Sequence, residues 1–428
     1  MPLPPATAFR PWPIRAANAL LPRAWAAGVL PMVDLREATL DAQARRQTGL
    51  SEFGDDAFAR AQLRVLLPAL RDEAALHPFG RLIAHGSLLK VLKERLWARE
   101  LFTRHPEILA RPVAPPVVIV GQMRSGTTRV QRLLACDPHF ATLRLFEAMC
   151  PVPWPSSITS AHDPRIAYTR NGLRFLNWIN PGIGAVHPAD AMMVDEELGL
   201  FEHSFAGAQI EAQRRVPSFA RWCETHDQTP AYAEMRQLLQ LAGWFRGDPL
   251  GKPWLLKTPQ HMQDLPALLA VFPDARLIFT HRNSQALVPS GASLAWQQMV
   301  VQSDAVDPRW IGREWLHKTA HRAEVVAAVR PTLHPRQAID LHYDAVAVDW
   351  RREMARVYAW LGWELPPGVL AAMQNYGAAA ASTTTGHRYD AADFGLTPAM
   401  IDAALACAEV PTRARAGGGG VRGDSRRS

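Results

Sequence analysis

The spacing of hydrophobic residues changes from a helical to a strand-like pattern near residue 112. Apolar residues three and four positions apart recur through the first quarter of the chain, which predicts a helical N-terminal region over residues 35–110. Pro112, Pro115 and Pro116 interrupt this pattern, and an uninterrupted apolar, β-branched run follows at 117–120. Such a short run is typical of a strand buried on both faces of a parallel sheet.

Strand-like and helical patterns then alternate along the chain. Further strands are predicted at 142–145, 254–257, 276–280 and 338–342, and helices at 129–136, 231–245, 264–271, 309–328 and 350–361. This alternation indicates the α/β class, with a P-loop-like parallel sheet flanked by helices in a domain over 111–410. The preceding residues 1–34, rich in Pro and Ala, are expected to be an extended, partly helical lead-in.

The composition excludes wholesale disorder, and the charge is concentrated at the C-terminus. Of the 428 residues, 48% are hydrophobic and 20% charged, enough to bury a large core. The net charge of +7 and the pI near 9.5 raise the hypothesis of nucleic-acid binding, because clustered Lys and Arg neutralise phosphates. Five arginines and one aspartate lie in 411–428, however, which leaves +3 for the rest of the chain. This Gly-rich segment is predicted to be a disordered basic tail, and no nucleic-acid partner is expected for the folded part.

Cysteine content and N-terminal hydropathy bear on the compartment. The four cysteines (Cys136, Cys150, Cys223 and Cys407) form no CxxC pair and are too sparse for a disulfide framework, so a reducing compartment is expected. The apolar segment 17–33 is interrupted by two prolines and an arginine. It is shorter than the roughly 20 apolar residues of a membrane span and lacks the blocks of a secretory signal. We therefore expect a cytoplasmic protein without a membrane span, its N-terminal segment packed on the domain or docked on a surface.

A glycine-rich loop follows the first predicted strand. Its sequence, GQMRSGTT, has the GxxxxG spacing of a Walker A loop, whose backbone N–H groups and helix N-terminus bind phosphate. The Walker A lysine is replaced by Thr127, and Arg124 supplies a cation that can bridge two oxygens. The candidate anion-binding residues are Gly121, Arg124, Ser125, Gly126, Thr127 and Thr128. A metal-chelated triphosphate and a metal site are therefore not expected, although a P-loop-type kinase or NTPase acting on a small molecule remains the alternative.

The segment VIVGQMRSGTT resembles the 5′-phosphosulfate loop of sulfotransferases that use 3′-phosphoadenosine 5′-phosphosulfate (PAPS), in the bacterial branch with an arginine in the loop. That family marks its 3′-phosphate site with an arginine at a strand end and a serine eight residues later, a spacing matched by Arg282 and Ser290. Arginine and a hydroxyl together form a second monophosphate clamp. Shorter similarities at 343–344, 386–389 and 394–396 extend the resemblance over roughly residues 35–400.

The resemblance implies transfer of the sulfuryl group from PAPS to a hydroxyl or amine of a small-molecule acceptor, with adenosine 3′,5′-bisphosphate as the leaving product. Lys257 matches the lysine of the family's Lys-Thr element and is expected to neutralise the leaving phosphate. Glu147 is the first candidate for the base that takes the acceptor proton, and His261 the second. Eukaryotic relatives stack a tryptophan on adenine where this chain has Arg129.

Two further features each have both a structural and a functional interpretation. The acidic triplet 195–197 is interpreted as the first turn of a helix, favoured by the helix dipole, rather than as a catalytic site. The 14 tryptophans and the Pro/Trp-rich stretch 151–155 are compatible with an apolar acceptor cavity and equally with a hydrophobic core.

Overall fold

A four-stranded parallel sheet lies at the centre of the protein, whose computed structural model describes residues 10–155, 157, 162–186, 189–381 and 390–406. The strands are β1 (Val117–Gly121), β2 (Leu255–Lys257), β3 (Arg276–His281) and β4 (Ala338–His342), in the order β2-β1-β3-β4. Within this sheet Val118 pairs with Leu256 on one side and with Leu277 on the other. The predicted α/β class, with a parallel sheet flanked by helices, is confirmed.

Helices precede, connect and follow the strands. Before the sheet lie α1 (Trp12–Ala26), α2 (Glu37–Thr48), α3 (Ala57–Asp72), α4 (Pro78–Arg104) and α5 (Glu107–Ala110). Between β1 and β2 lie α6 (Thr127–Leu134), α7 (Leu145–Met149), α8 (Pro164–Ile179), α9 (Pro181–Val186), α10 (Leu198–Glu202), α11 (Ala208–Gln213), α12 (Pro217–Thr225) and α13 (Thr229–Arg246). Helices α14 (Gln260–Gln263) and α15 (Leu265–Val271) connect β2 to β3, and α16 (Ser284–Met299) and α17 (Pro308–Val329) connect β3 to β4. Helices α18 (Tyr343–Val348), α19 (Trp350–Leu361), α20 (Pro367–Ala381) and α21 (Pro398–Leu405) follow β4, and short 3₁₀ helices lie at Arg330–Thr332 and Ala391–Phe394.

The central strand β1 is buried on both faces, as its uniformly apolar sequence predicts. Val118 and Val120 belong to the hydrophobic cluster that includes α13, whereas Val117 and Ile119 belong to the cluster that includes α6 and α19. Successive side chains of a strand point to opposite faces, so this alternation places helices on both sides of the sheet. Because all four strands are parallel, their carboxyl ends and the loops that follow them lie at one edge of the sheet.

The predicted helical N-terminal region is confirmed, and it shares a core with later helices. Leu40, Leu63 and Leu92 lie in one hydrophobic cluster with Ile210 and Phe219 from α11 and α12. Among the described residues, no helix is both long and apolar enough to cross a membrane.

The strand predicted at 142–145 is wrong. Ala141 forms a single parallel bridge with Trp254, and Arg144 a single antiparallel bridge with Val194. A helix, α7, begins at Leu145, so the apolar run is too short to extend either bridge into a ladder. Residues 1–9, the 386–389 motif and the predicted tail at 411–428 lie outside the described residues.

Candidate active site

The loop between β1 and α6 has the backbone geometry of an anion cradle. Arg124 (φ +73°) and Gly126 (φ +90°) both adopt the left-handed conformation. This curls the backbone so that its N–H groups and the N-terminus of α6 can face a common point. A Cβ atom on Gly126 would lie 2.8 Å from Cδ2 of Tyr343, so glycine is needed both for the backbone angle and for the close approach of that ring.

Side-chain hydrogen bonds hold the loop to the sheet. The hydroxyl of Ser125 lies 2.8 Å from the carbonyl oxygen of Gln122 and 2.7 Å from the hydroxyl of Thr280, at the end of β3. Gln122 in turn donates from Nε2 to the carbonyl oxygen of Thr319 in α17, at 2.9 Å. The loop is therefore fixed by its neighbours before any ligand arrives, which is the preorganisation that tight anion binding requires.

The predicted 3′-phosphate residues converge on this loop. Nε of Arg124 donates to the hydroxyl of Ser290 in α16 at 3.1 Å, and Nη1 of Arg282 donates to the carbonyl oxygen of Arg124 at 2.7 Å. The Arg282 guanidinium also stacks on the Tyr343 ring, 4.1 Å from its centroid. Two guanidinium groups and a buried hydroxyl thus come together beside the loop, and their role in binding a 3′-phosphate stays a prediction.

Lys257 brings a third cation to the loop from the neighbouring strand β2. Its Nζ lies 3.3 Å from the hydroxyl of Thr128 and forms an ion pair with Glu196. The Lys257 side chain is 1% exposed and that of Glu196 is 15% exposed. A buried ammonium group requires a counter-charge, so the pair explains how Lys257 is tolerated at the end of a buried strand.

A chain of buried polar groups lies behind Lys257. Glu197 accepts the backbone N–H of Lys257 at 3.0 Å and is paired with Nε2 of His261, whose Nδ1 lies 3.0 Å from the hydroxyl of Tyr232. Burial, reinforced by the negative charges of Asp264 and Glu197, raises the pKa of Tyr232 well above its ordinary value. The tyrosine therefore stays protonated and can donate to Nδ1, so that the Nε2 proton faces Glu197.

His261, the second candidate base, is part of this chain rather than of the loop surface. Its side chain is fully buried, and both ring nitrogens are engaged. These contacts suit a residue that orients Glu197, and through it the backbone of Lys257. A catalytic role for His261 stays a prediction.

Glu147, the first candidate base, joins α7 to α13. Its Oε2 accepts the backbone N–H of Arg144 at 2.9 Å, and its carboxylate lies 3.3 Å from Nη1 of Arg246. Within the described part of the chain, no hydrogen bond or ion pair connects Glu147 to the glycine-rich loop. Its contacts are those of a helix cap paired with an arginine, and its role as a base stays a prediction.

The acidic triplet contributes two residues that sequence reasoning missed. Glu196 and Glu197 precede α10, which begins at Leu198, so the interpretation of the triplet as a first helical turn is wrong. Both carboxylates instead compensate buried groups of β2 and α14. The available signal was Lys257 itself, since a lysine in an apolar strand needs a carboxylate partner if the strand end is covered.

A small concave surface adjoins the loop between α6 and the end of β4. Its lining includes Ser125, Gly126, Arg129, Thr280, His342 and Tyr343. Arg129, which stands where eukaryotic relatives have a tryptophan, thus lines this concavity. In the described residues, no three His, Cys, Asp or Glu side chains are grouped so as to hold a metal ion.

Similarity to known proteins was found at the level of family and of fold. A sequence model of the sulfotransferase family matches residues 115–367. The crystal structure of sulfotransferase STF1 from Mycobacterium tuberculosis H37Rv aligns with a TM-score of 0.76 and 30% sequence identity, covering 88% of this chain and 100% of that one. Sulfotransferase STF9 from Mycobacterium avium aligns with a TM-score of 0.74 and 24% identity, covering 87% and 95% of the respective chains, and supports the fold.

A curated relative matches over a shorter segment. The omega-hydroxy-beta-dihydromenaquinone-9 sulfotransferase Stf3 of Mycobacterium bovis is 26% identical over 200 residues, which are 46% of this chain and 48% of the relative. The Mycobacterium tuberculosis protein of the same name matches equally. The chain thus spans about half the length of the curated relatives it matches.

Proposed function

The chain belongs to the sulfotransferase family, and we propose that it transfers the sulfuryl group of PAPS to a hydroxyl or amine of a small, apolar acceptor. Sulfotransferases generally use PAPS, which leaves as adenosine 3′,5′-bisphosphate. The observation that carries the proposal is the convergence of Arg124, Arg282 and Ser290 on a phosphate loop without the Walker A lysine. The name of the Mycobacterium relative specifies an omega-hydroxy menaquinone derivative, which supports an apolar acceptor with a hydroxyl group here.

The residues around the loop fit the chemistry of this donor. The loop N–H groups, with Thr127, Thr128 and the Arg124 guanidinium, suit the 5′-phosphosulfate. Arg282 and the buried hydroxyl of Ser290 suit the 3′-phosphate, next to that first clamp. The concavity lined by Arg129 and Tyr343 suits adenine, since a guanidinium and an aromatic ring both stack on a base.

Lys257 and Glu196 suit the transfer step. In this step the acceptor oxygen or nitrogen forms a bond to sulfur, the bond between sulfur and the bridging phosphate oxygen breaks, and the acceptor releases a proton. The Lys257 ammonium group would neutralise the charge that develops on the leaving phosphate. We propose that Glu196 is the base that takes this proton, because its carboxylate contacts Lys257 and is partly exposed. Glu147 and His261 are the rival candidates, and Glu197 and His261 would hold the backbone of Lys257 in position.

Differential ligand stabilisation tests the donor assignment. Adenosine 3′,5′-bisphosphate at a hundredfold excess over its Kd should raise the unfolding free energy by about 2.7 kcal/mol. Adenosine 5′-monophosphate, which lacks the 3′-phosphate, should raise the unfolding free energy less at the same concentration. The difference between these two ligands should disappear in Arg282→Ala. Stronger stabilisation by Mg²⁺-ATP than by the bisphosphate would favour the kinase or NTPase alternative.

Turnover provides the second test. Incubation of the protein with PAPS and a panel of hydroxylated and aminated apolar compounds should release adenosine 3′,5′-bisphosphate and yield a sulfated product with at least one of them. Release without any sulfated product would contradict transfer to an acceptor and indicate hydrolysis of the donor.

A further inference from the structure

Helices α1 and α8, with the segment after α1, expose an unusual number of large apolar side chains. Six of them, which we call the apolar face, are 41 to 74% exposed: Trp12, Leu20, Val29, Met32, Phe175 and Trp178. Scattered single apolar residues are normal on a protein surface, whereas a cluster that includes three aromatic rings marks an interaction site.

The two helices adjoin each other around the start of α4. The side-chain oxygen of Asn18 in α1 accepts the backbone N–H of Phe79 at 2.9 Å. The Phe79 ring lies 6.0 Å from that of Phe175, which in turn lies 5.9 Å from the ring of Trp178. The inward sides of both helices are anchored in one small hydrophobic cluster, which also includes Phe79 of α4.

The charges on these helices are of one sign. Arg15 and Arg23 in α1 and Arg170 and Arg174 in α8 are exposed, and neither helix contains Asp or Glu. Among the described residues, no ion pair involves these four arginines; Arg23 and Arg174 donate to neighbours in their own helices, the carbonyl oxygen of Ala19 and the side-chain oxygen of Asn171. Helices that lie in a bilayer interface typically combine arginines with exposed Trp, Phe and Leu side chains. The charge of such arginines attracts anionic lipid headgroups.

We propose that the apolar face docks on a bilayer that contains anionic lipids, with α1 and α8 lying at the level of the headgroups. The rings and aliphatic side chains enter the acyl boundary, and the four arginines contact the lipid phosphates. Because the chain runs from α8 through α9 to Glu196, docking also ties this surface to the segment that carries the proposed base; that link rests on the proposed function. The docking itself does not.

Vesicle flotation of the full-length protein, without donor or acceptor, tests the proposal. Binding is expected to vesicles of phosphatidylcholine with phosphatidylglycerol, weaker binding to phosphatidylcholine alone, and a loss at high salt. The double variant Phe175→Ser/Trp178→Ser should bind these vesicles at least about tenfold more weakly, because it lacks the two rings that enter the acyl boundary. Arg170→Gln/Arg174→Gln should remove the preference for phosphatidylglycerol.

Two exposed apolar residues outside the apolar face provide a matched control. Leu250 is 65% and Val348 is 88% exposed, and Leu250→Ser/Val348→Ser should float like the wild type. Absence of binding to phosphatidylglycerol vesicles, or an equal loss in the control variant, would overturn the proposal. So would light scattering that finds a dimer which Phe175→Ser/Trp178→Ser converts to a monomer, because the surface would then serve a second copy of this chain. Unchanged melting temperatures will show that the variants are folded.

Discussion

Substitution of Glu196 by glutamine separates the two roles that its contact with Lys257 permits. Glutamine keeps the size of the side chain and an oxygen that can accept from the Lys257 ammonium group, but it cannot take a proton at neutral pH. A general base contributes about 10²- to 10⁴-fold to the rate, or about 3–5 kcal/mol of barrier at roughly 1.4 kcal/mol per decade. If Glu196 is the base, Glu196→Gln should lower kcat by at least about a hundredfold.

The same substitution should lower the stability of the protein without weakening its affinity for the product. Lys257 is 1% exposed, and removing one partner of a buried pair costs about 3–5 kcal/mol. The loss here should be smaller, because glutamine retains a hydrogen bond and Glu196 is 15% exposed. The phosphate of bound adenosine 3′,5′-bisphosphate would supply Lys257 with a new counter-charge. The variant should therefore bind this product at least as tightly as the wild type, and gain more in melting temperature from it.

Glu147→Gln provides the matched comparison, since it makes the same chemical change at the other candidate. Both variants would be assayed for PAPS-dependent turnover with one acceptor and for bisphosphate binding by calorimetry. Because Glu147 caps α7 and pairs with Arg246, its variant should lose stability but keep kcat within about threefold of the wild type. Near-normal turnover in Glu196→Gln together with an inactive, fully folded Glu147→Gln would refute the assignment and make Glu147 the base.

Three further predictions follow from the loop and from a buried carboxyl group. Arg124→Ala and Arg282→Ala should each weaken bisphosphate binding at least about a hundredfold by calorimetry, since charge-assisted contacts are lost; retained affinity in both would reject the site. Gly126→Ala should destabilise more than Gly247→Ala in chemical denaturation: both glycines have positive φ (+90° and +67°), which costs about 1–2 kcal/mol, but only the first would bring a Cβ within 4 Å of another residue. Equal losses of unfolding free energy in the two variants would mean that the Tyr343 ring moves away from the loop without an energetic cost. Burial raises the pKa of Asp264 from 3.8 to about 7, so the folded state holds this proton more tightly than the unfolded chain does. The unfolding free energy of the wild type relative to Asp264→Asn should therefore fall between pH 4 and 7, by up to about 4 kcal/mol, and a pH-independent difference would contradict this burial.

The strands and the loop are the parts of the protein that local sequence predicts well. The apolar runs at 117–120, 254–257, 276–280 and 338–342 each match a strand to within one residue. Each run is short and apolar because it is buried between layers of helices, so its own composition carries the information. The run at 142–145 alternates Thr and Arg with two leucines and has only single bridging partners, and whether a partner ladder exists is a property of the fold rather than of the run.

The acidic triplet fails for a related reason. Glu196 and Lys257 lie far apart in sequence, and no spacing rule connects them. The sequence shows Lys257 only as a cation at the end of a predicted strand, and the fold covers it completely. Once it is covered, the energetics of a buried ammonium group require a carboxylate, and the triplet supplies it.

Glu196 and Glu197 differ in the exposure of their side chains and in the partners that these side chains face, and we therefore propose different roles for them. Glu197 turns toward His261 with a 1% exposed side chain. Glu196 turns toward the Lys257 ammonium group beside Thr128 and keeps 15% exposure. Both carboxylate oxygens of Glu197 are already engaged, one by the backbone N–H of Lys257 and one by Nε2 of His261, so this carboxylate orients its neighbours. Glu196 contacts the Lys257 side chain and is partly exposed, and this is the physical reason for proposing Glu196 as the base.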